Sequence, residues 1–99
     1  QEARLTQRER LVSAWSEWTS AKQRQRLGKR QSQQGRNLVT GYEKQFRVGR
    51  RSLLDLLNVQ NDLYNYQTAA INADYDEKVA RVRILAAMGR LASAYQSAP

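Results

Sequence analysis

The sequence predicts an all-α fold, a long antiparallel helical hairpin of the coiled-coil type, on three observations. The only proline is Pro99, so no residue before it has to interrupt a helix. A seven-residue apolar repeat runs through residues 52–97. Between the two halves of the chain, residues 49–55 combine a glycine with a helix-start pattern. Two long helices joined by one turn are therefore expected.

The first predicted helix covers residues 1–48 and has an interface side that is small or polar in its middle. Two heptad positions form this side: Leu11, Trp18, Gln25, Ser32, Val39 and Phe46 at one, and Ala14, Ala21, Gly28, Gly35 and Tyr42 at the other. Small residues permit a close approach of two backbones but supply little apolar area.

The predicted turn covers residues 49–51. Ser52-Leu53-Leu54-Asp55 is a capping-box pattern with Asp in place of Glu, in which each side chain can bond the backbone N–H of the other residue. Gly49 suits the left-handed residue that ends a helix. A turn this short forces the two helices to run antiparallel.

The second predicted helix covers residues 52–97 and carries two apolar stripes. The first seam consists of Leu56, Leu63, Ala70, Ile84 and Leu91 at one heptad position, interrupted by Glu77, and Val59, Tyr66, Ala73, Ala80, Ala87 and Ala94 at the other. The second stripe, Ile71, Tyr75, Val82 and Leu85, lies about 120° further around the helix. Because one stripe can be covered by one neighbour, two stripes imply two neighbours.

Folding at Gly49 pairs residues whose numbers add up to roughly 99. This pairing predicts that the two interface glycines face large residues, with Gly28 opposite Ile71 and Gly35 opposite Tyr64. It also places Trp18 opposite Val82.

A lone pair of long helices encloses no core, so we expect the chain to belong to a larger assembly and to self-associate. The chain begins at Gln1 and has no apolar run long enough for a signal peptide or a membrane span. We therefore expect a segment of a larger protein.

An enzymatic role has little support in the composition. The chain has neither cysteine nor histidine, Leu27-Gly28-Lys29 lacks the glycine spacing of a phosphate-binding loop, and no paired acids suggest hydrolysis. We expect no catalytic residue, no metal and no cofactor.

The net charge of +8 is concentrated in the first half of the chain. Residues 1–51 hold thirteen Lys and Arg against four Glu, whereas residues 52–99 hold four against five Asp and Glu. Such a half could bind nucleic acid, anionic lipid or an acidic protein, or it could be a solvated helix face. A basic coiled coil that binds nucleic acid is the alternative function, although exposed aromatics would be expected among its cations. A purely structural coiled coil is a further alternative.

Residues 41–91 contain a series of short motifs in a fixed order. They are Phe46, Val48-Gly49-Arg50-Arg51-Ser52, Leu53-Leu54-Asp55-Leu56-Leu57-Asn58, Leu63-Tyr64, Ala73-Asp74-Tyr75 and Ala87-Met88-Gly89-Arg90-Leu91. Together they resemble the last helical hairpin of TolC-like outer-membrane channel proteins of efflux and type I secretion, most closely the secretion subgroup. Residues 1–40 match only as a long helix of suitable length.

The resemblance implies a specific architecture. In this family three protomers form a β-barrel in the outer membrane that continues as an α-helical barrel through the periplasm. The chain would be one stave pair of that barrel, in the periplasmic part of a Gram-negative outer-membrane protein, and the intact parent would be a homotrimer. The segment itself would not be inserted in a membrane, and nucleic acid would not be a partner.

The resemblance also implies two sites. Hairpin tips of the family dock to a periplasmic adaptor (membrane-fusion) protein, which here would involve Val48, Gly49, Arg50, Arg51 and Ser52. Residues just above the tip form the entrance gate, which here would comprise Phe46, Arg51, Asp55 and Asn58. Three copies of Asp55 would make an anionic constriction. Phe46 and Asn58 stand where some members have Tyr and Asp, which predicts a weaker or differently latched gate.

Overall fold

In a computed structural model of the chain, which describes residues 2–96, two helices account for nearly all of the chain. Helix α1 spans Glu2–Arg47 and helix α2 spans Leu53–Gln96. No strand occurs in residues 2–96. The predicted all-α helical hairpin is therefore confirmed. The ends of the helices at the turn lie one residue inside the predicted bounds, and residues 1 and 97 fall outside the described part.

Local sequence favours both helices. The described part of the chain contains no proline, and most positions of α1 are strong helix formers such as Ala, Arg, Gln, Glu and Leu. Lys44 and Arg47 lie in the last turn of α1, and Asp55 lies in the first turn of α2. Both placements are favourable for the helix dipoles.

The chain divides into two compact units, each built from a segment of both helices. The turn-proximal unit comprises Arg24–Ala73, and the terminal unit comprises residues 2–23 and 74–96 of the described chain. In the turn-proximal unit, Val39, Leu56 and Val59 form a buried cluster, and Tyr42 and Leu63 pack against it. All five residues belong to the predicted interface sides of the two helices.

Two glycines of the turn-proximal unit allow the helices to approach closely. A Cβ atom at position 28 would lie 3.0 Å from the Ala70 Cα, and one at position 35 would lie 3.2 Å from both Leu63 Cδ1 and Tyr66 Cδ2. The close approach is as predicted, but the predicted partners are wrong.

The predicted partners of these glycines, Ile71 and Tyr64, point away from the interface and are 70% and 61% exposed. Each follows a residue of the first seam, Ala70 or Leu63, by one position. One residue along a helix is a rotation of about 100°, which is enough to move a side chain from the interface to its flank.

The terminal unit has a core of small and branched side chains with one carboxylate among them. Ala21, Ala80, Ile84 and Ala87 are buried, and Glu77 is buried with only 1% of its surface exposed. The predicted contact of Trp18 with Val82 is wrong. Val82 is 65% exposed, whereas the Trp18 Nε1–H donates a hydrogen bond to Glu77 Oε2 at 3.0 Å.

The second stripe of α2 is uncovered in both units. Ile71 is exposed in the turn-proximal unit, and Tyr75, Val82 and Leu85 are each more than half exposed in the terminal unit. The second stripe is therefore an apolar surface that no other part of residues 2–96 covers. Neither helix is both long and apolar enough to cross a membrane, judged on the described residues.

Candidate functional site

The end of α1 is closed by backbone hydrogen bonds around Gly49. The Arg50 N–H donates to the Gln45 carbonyl at 2.8 Å, and the Gly49 N–H donates to the Phe46 carbonyl at 3.1 Å. This bond pair defines a Schellman motif, which requires a left-handed residue at the position of Gly49. Gly49 has φ +77°, so the prediction that it ends the first helix in this conformation is confirmed.

The start of α2 is closed by the predicted capping box. Asp55 N–H donates to Ser52 Oγ at 3.1 Å, and Ser52 N–H donates to Asp55 Oδ2 at 3.3 Å. The Leu56 N–H adds a bond to the Ser52 carbonyl at 3.2 Å. Ser52 and Asp55 thus have a structural role in the turn, whatever else they contact.

We expect Gly49→Val to lower the free energy of unfolding by about 1–2 kcal/mol, because a β-branched residue resists positive φ. Chemical denaturation of the whole chain measures this loss. Gly89→Val is the matched control, since Gly89 lies within α2 without a positive φ, and a Cβ added there would meet no atom within 4 Å. An equal loss in both variants would show that the cost does not come from the turn conformation.

The two arginines of the turn have different surroundings. The Arg51 guanidinium lies over the Tyr42 ring, 4.2 Å from its centroid, and its Nε–H donates to Gln45 Oε1 at 2.6 Å. Arg51 therefore ties the turn to α1. The Arg50 side chain is exposed and forms no hydrogen bond or ion pair within residues 2–96. Of the two, Arg50 is the cation available to a partner.

Exposed apolar side chains occur on both sides of Arg50 in the sequence. Val48 is 69% exposed at the apex, and Leu53, Leu54 and Leu57 each leave half or more of their surface uncovered. These three leucines were not among the predicted site residues. The sequence carried part of this signal in the pairs Leu53-Leu54 and Leu56-Leu57, because at most one residue of an adjacent pair can face the seam.

The predicted gate residues are near the turn but do not contact one another as a group. Phe46 is 39% exposed and Asn58 is exposed. Asp55 is half-buried in the capping box, and Arg51 forms no salt bridge with it within the described chain. The described residues also contain no group of three or more acidic side chains placed to hold a metal ion.

A second polar cluster, which sequence reasoning did not identify, lies in the terminal unit around Glu77. Arg81 donates to both carboxylate oxygens of Glu77, with distances of 3.0 Å from Nε and 2.6 Å from Nη2. The hydrogen bond from Trp18 lowers the pKa of Glu77, burial opposes this effect, and Arg81 and Lys78 lower the pKa further. The carboxylate is therefore held ionised inside the helix interface.

Comparison with known proteins gives one informative similarity. No protein-family model matches the chain, and no solved structure matches it. The chain is 33% identical over 84 residues to the outer membrane efflux protein BepC of Brucella suis biovar 1 (strain 1330). The match covers 85% of this chain and 18% of the relative, so the chain spans about one fifth of that protein's length. A match of 84 residues in a chain of 99 includes the turn and most of both helices.

Proposed function

We propose that the chain is a periplasmic α-barrel segment of a trimeric, TolC-like outer-membrane export channel. The observation that carries the proposal is the similarity to an outer membrane efflux protein, which extends across the turn and both helices. The helical hairpin, the motifs of residues 41–91 and the family architecture described above support the same assignment. The segment would conduct substrate passively, with no catalytic residue and no cofactor.

The uncovered apolar surface supports a place between neighbouring helices. A stave of a helical barrel has a neighbour on both sides, so apolar residues outside its internal interface become buried in the assembly. In the turn-proximal unit these residues would be Leu57, Tyr64 and Ile71, which recur every seven positions and are each at least half exposed. Copies of the parent chain would cover them in the homotrimer.

The turn is proposed as the docking point for a periplasmic adaptor protein, through Val48 to Ser52. Its exposed apex offers an apolar side chain at Val48, a guanidinium at Arg50 and accessible backbone at Gly49. A guanidinium presents fork-shaped donors to carboxylates and carbonyls. Arg51 and Ser52 would act mainly by holding this apex in shape, because their side chains are bonded within the hairpin.

The entrance gate is proposed for Phe46, Arg51, Asp55 and Asn58. Asp55 copies around a threefold axis would form an anionic ring that attracts cations. In the hairpin the Asp55 carboxylate caps α2 and the Arg51 guanidinium lies on Tyr42. Opening of the gate would therefore have to preserve these contacts or exchange them for contacts to a neighbouring chain.

The docking proposal is tested by placing a photo-crosslinking amino acid at position 48 or position 30 of the full-length parent in Gram-negative cells. Both positions belong to exposed residues, but Arg30 lies within α1 and away from the turn. We expect a crosslink to a periplasmic adaptor protein from position 48 only. Charge reversal by Arg50→Glu should reduce its yield by about tenfold, and Arg30→Glu should leave it unchanged.

Two results would contradict the docking proposal. One is the absence of any adaptor adduct from position 48 in a parent that reaches the outer membrane. The other is an equal loss of crosslinking in the Arg50 and Arg30 variants, which would indicate a general charge effect rather than contact at the turn.

A further inference from the structure

A groove of about 360 Å³ between the two helices of the terminal unit carries arginines from both sides. Arg10 lies on α1, and Arg83 and Arg90 lie on α2. The small side chains of Ala14 and Ala87 also line the groove, and Ala87 is buried in the interface. The groove is therefore lined by two short alanine side chains as well as by three long arginine side chains.

The charge of the groove is only partly compensated. Glu17 is the single carboxylate among its lining residues, and its Oε2 lies 3.7 Å from Arg83 Nη1. Arg10 and Arg90 form no ion pair or hydrogen bond within residues 2–96. Arg10 on α1 and Arg90 on α2 therefore line one groove without an ion-pair partner among the described residues.

Arg10 and Arg90 are exposed, so solvent and salt screen the repulsion between them, and an anion bound in the groove would be attracted by both charges. Each guanidinium offers a planar fork of N–H donors, and the Ser13 hydroxyl in the same groove is a further donor. A carboxylate has two oxygens and can satisfy one fork, whereas a phosphate has enough oxygens to accept from two forks at once. Phosphate is thus the better match to the Arg10 and Arg90 pair.

We propose that this groove binds a phosphate group, with Arg10 and Arg90 as its principal ligands and Arg83 and Ser13 at its border. The phosphate is either a free anion or part of a lipid headgroup, since both present the same chemistry. The site is independent of the export function proposed above, because it depends only on groups within the terminal unit.

Calorimetric titration of the whole chain with inorganic pyrophosphate tests the site. We expect saturable binding that Arg10→Gln and Arg90→Gln each weaken by about tenfold to a hundredfold, the effect of losing charge-assisted hydrogen bonds. Arg10→Lys, which keeps the charge but loses the fork, should weaken binding by a smaller factor. The matched control is Arg30→Gln, an exposed residue of α1 outside the groove with the same change in net charge.

A second arm uses vesicles of phosphatidylglycerol with the same variants. If the Arg10 and Arg90 variants lose affinity for pyrophosphate only, the site binds a free phosphate. If they lose affinity for both pyrophosphate and the vesicles, the site also binds a lipid headgroup. Circular dichroism establishes that each variant is folded. The site is ruled out if pyrophosphate does not bind, if Arg10→Gln and Arg90→Gln bind as the original chain does, or if Arg30→Gln weakens binding equally.

Discussion

Gly28→Leu is expected to lower the free energy of unfolding by about 2–3 kcal/mol, the upper part of the range of about 1–3 kcal/mol for forcing extra side-chain volume into a packed interface. A Cβ at this position already lies 3.0 Å from the Ala70 Cα, a backbone atom that cannot turn aside. The remaining leucine atoms would require the two helix segments to separate. Separation would also loosen the adjoining contacts of Gly35 with Leu63 and Tyr66.

Urea denaturation followed by circular dichroism measures this loss, and Gly41→Leu provides the control on the same helix. A Cβ at position 41 meets no atom within 4 Å, so leucine there gains helix propensity and should leave stability unchanged or raise it by about 1 kcal/mol. A loss of stability in Gly28→Leu and no loss in Gly41→Leu are the expected result. A Gly28→Leu chain as stable as the original would show that the helices do not approach each other as described.

Glu77→Gln is expected to destabilise the terminal unit and to reduce the dependence of its stability on acid pH. Glutamine has nearly the same size and keeps an oxygen for the Trp18 N–H, but it carries no charge for Arg81. The folded-state pKa of Glu77 lies below its ordinary value of 4.5. The ionised carboxylate therefore adds stability above that value, and the contribution is lost as the pH falls through the lowered pKa.

The difference in stability between the original chain and Glu77→Gln should accordingly be largest near neutral pH and become smaller under acid conditions. Denaturation at a series of pH values measures it. Glu17→Gln is the matched control, because Glu17 is half exposed and its 3.7 Å pair with Arg83 is largely screened by solvent. If the Glu77 difference were the same at every pH, the Arg81 pair would have no role in stability.

The turn could be predicted from the sequence because its signals are local. Gly49, Ser52 and Asp55 specify the end of one helix and the start of the next within seven residues, and their hydrogen bonds form as expected. The heptad positions likewise identified the residues that become buried, such as Val39, Ile84 and Ala87.

The contacts between individual residues of α1 and α2 were harder to predict from the sequence. The rule that the numbers of paired residues add up to roughly 99 predicts which residues lie at the same height along the two helix axes. It does not predict in which direction around the axis each side chain points. For this reason Ile71 and Tyr64 were placed opposite glycines that Ala70 and Leu63 actually face. Glu77 was treated as an interruption because a hydrophobic pattern has no place for a buried ion pair. Trp18, which donates a hydrogen bond to Glu77, lies 59 residues away in the chain.

Sequence reasoning identified residues 48–52 as the candidate site, but it did not show that the two arginines in this segment have different surroundings. Arg50 and Arg51 are the same residue type at adjacent positions, so the sequence alone does not distinguish their contacts. Their difference arises from Tyr42 and Gln45, which lie nine and six residues before Arg51 on α1 and contact only the second arginine. The exposure of Leu53, Leu54 and Leu57 depends in the same way on which face of α2 meets α1.

The backbone amides of Gly49, Arg50, Ser52, Asp55 and Leu56 all donate hydrogen bonds inside the hairpin. Few backbone N–H groups of the turn are therefore free to bind another protein. Selectivity between binding proteins would have to come from side chains. Because the side chains of Val48 and Arg50 take no part in those bonds, substitutions of these side chains that keep the backbone conformation leave the shape of the turn intact. Under the proposed docking role, a change of these two side chains would change which protein binds while the hydrogen-bonded framework of the turn stays the same.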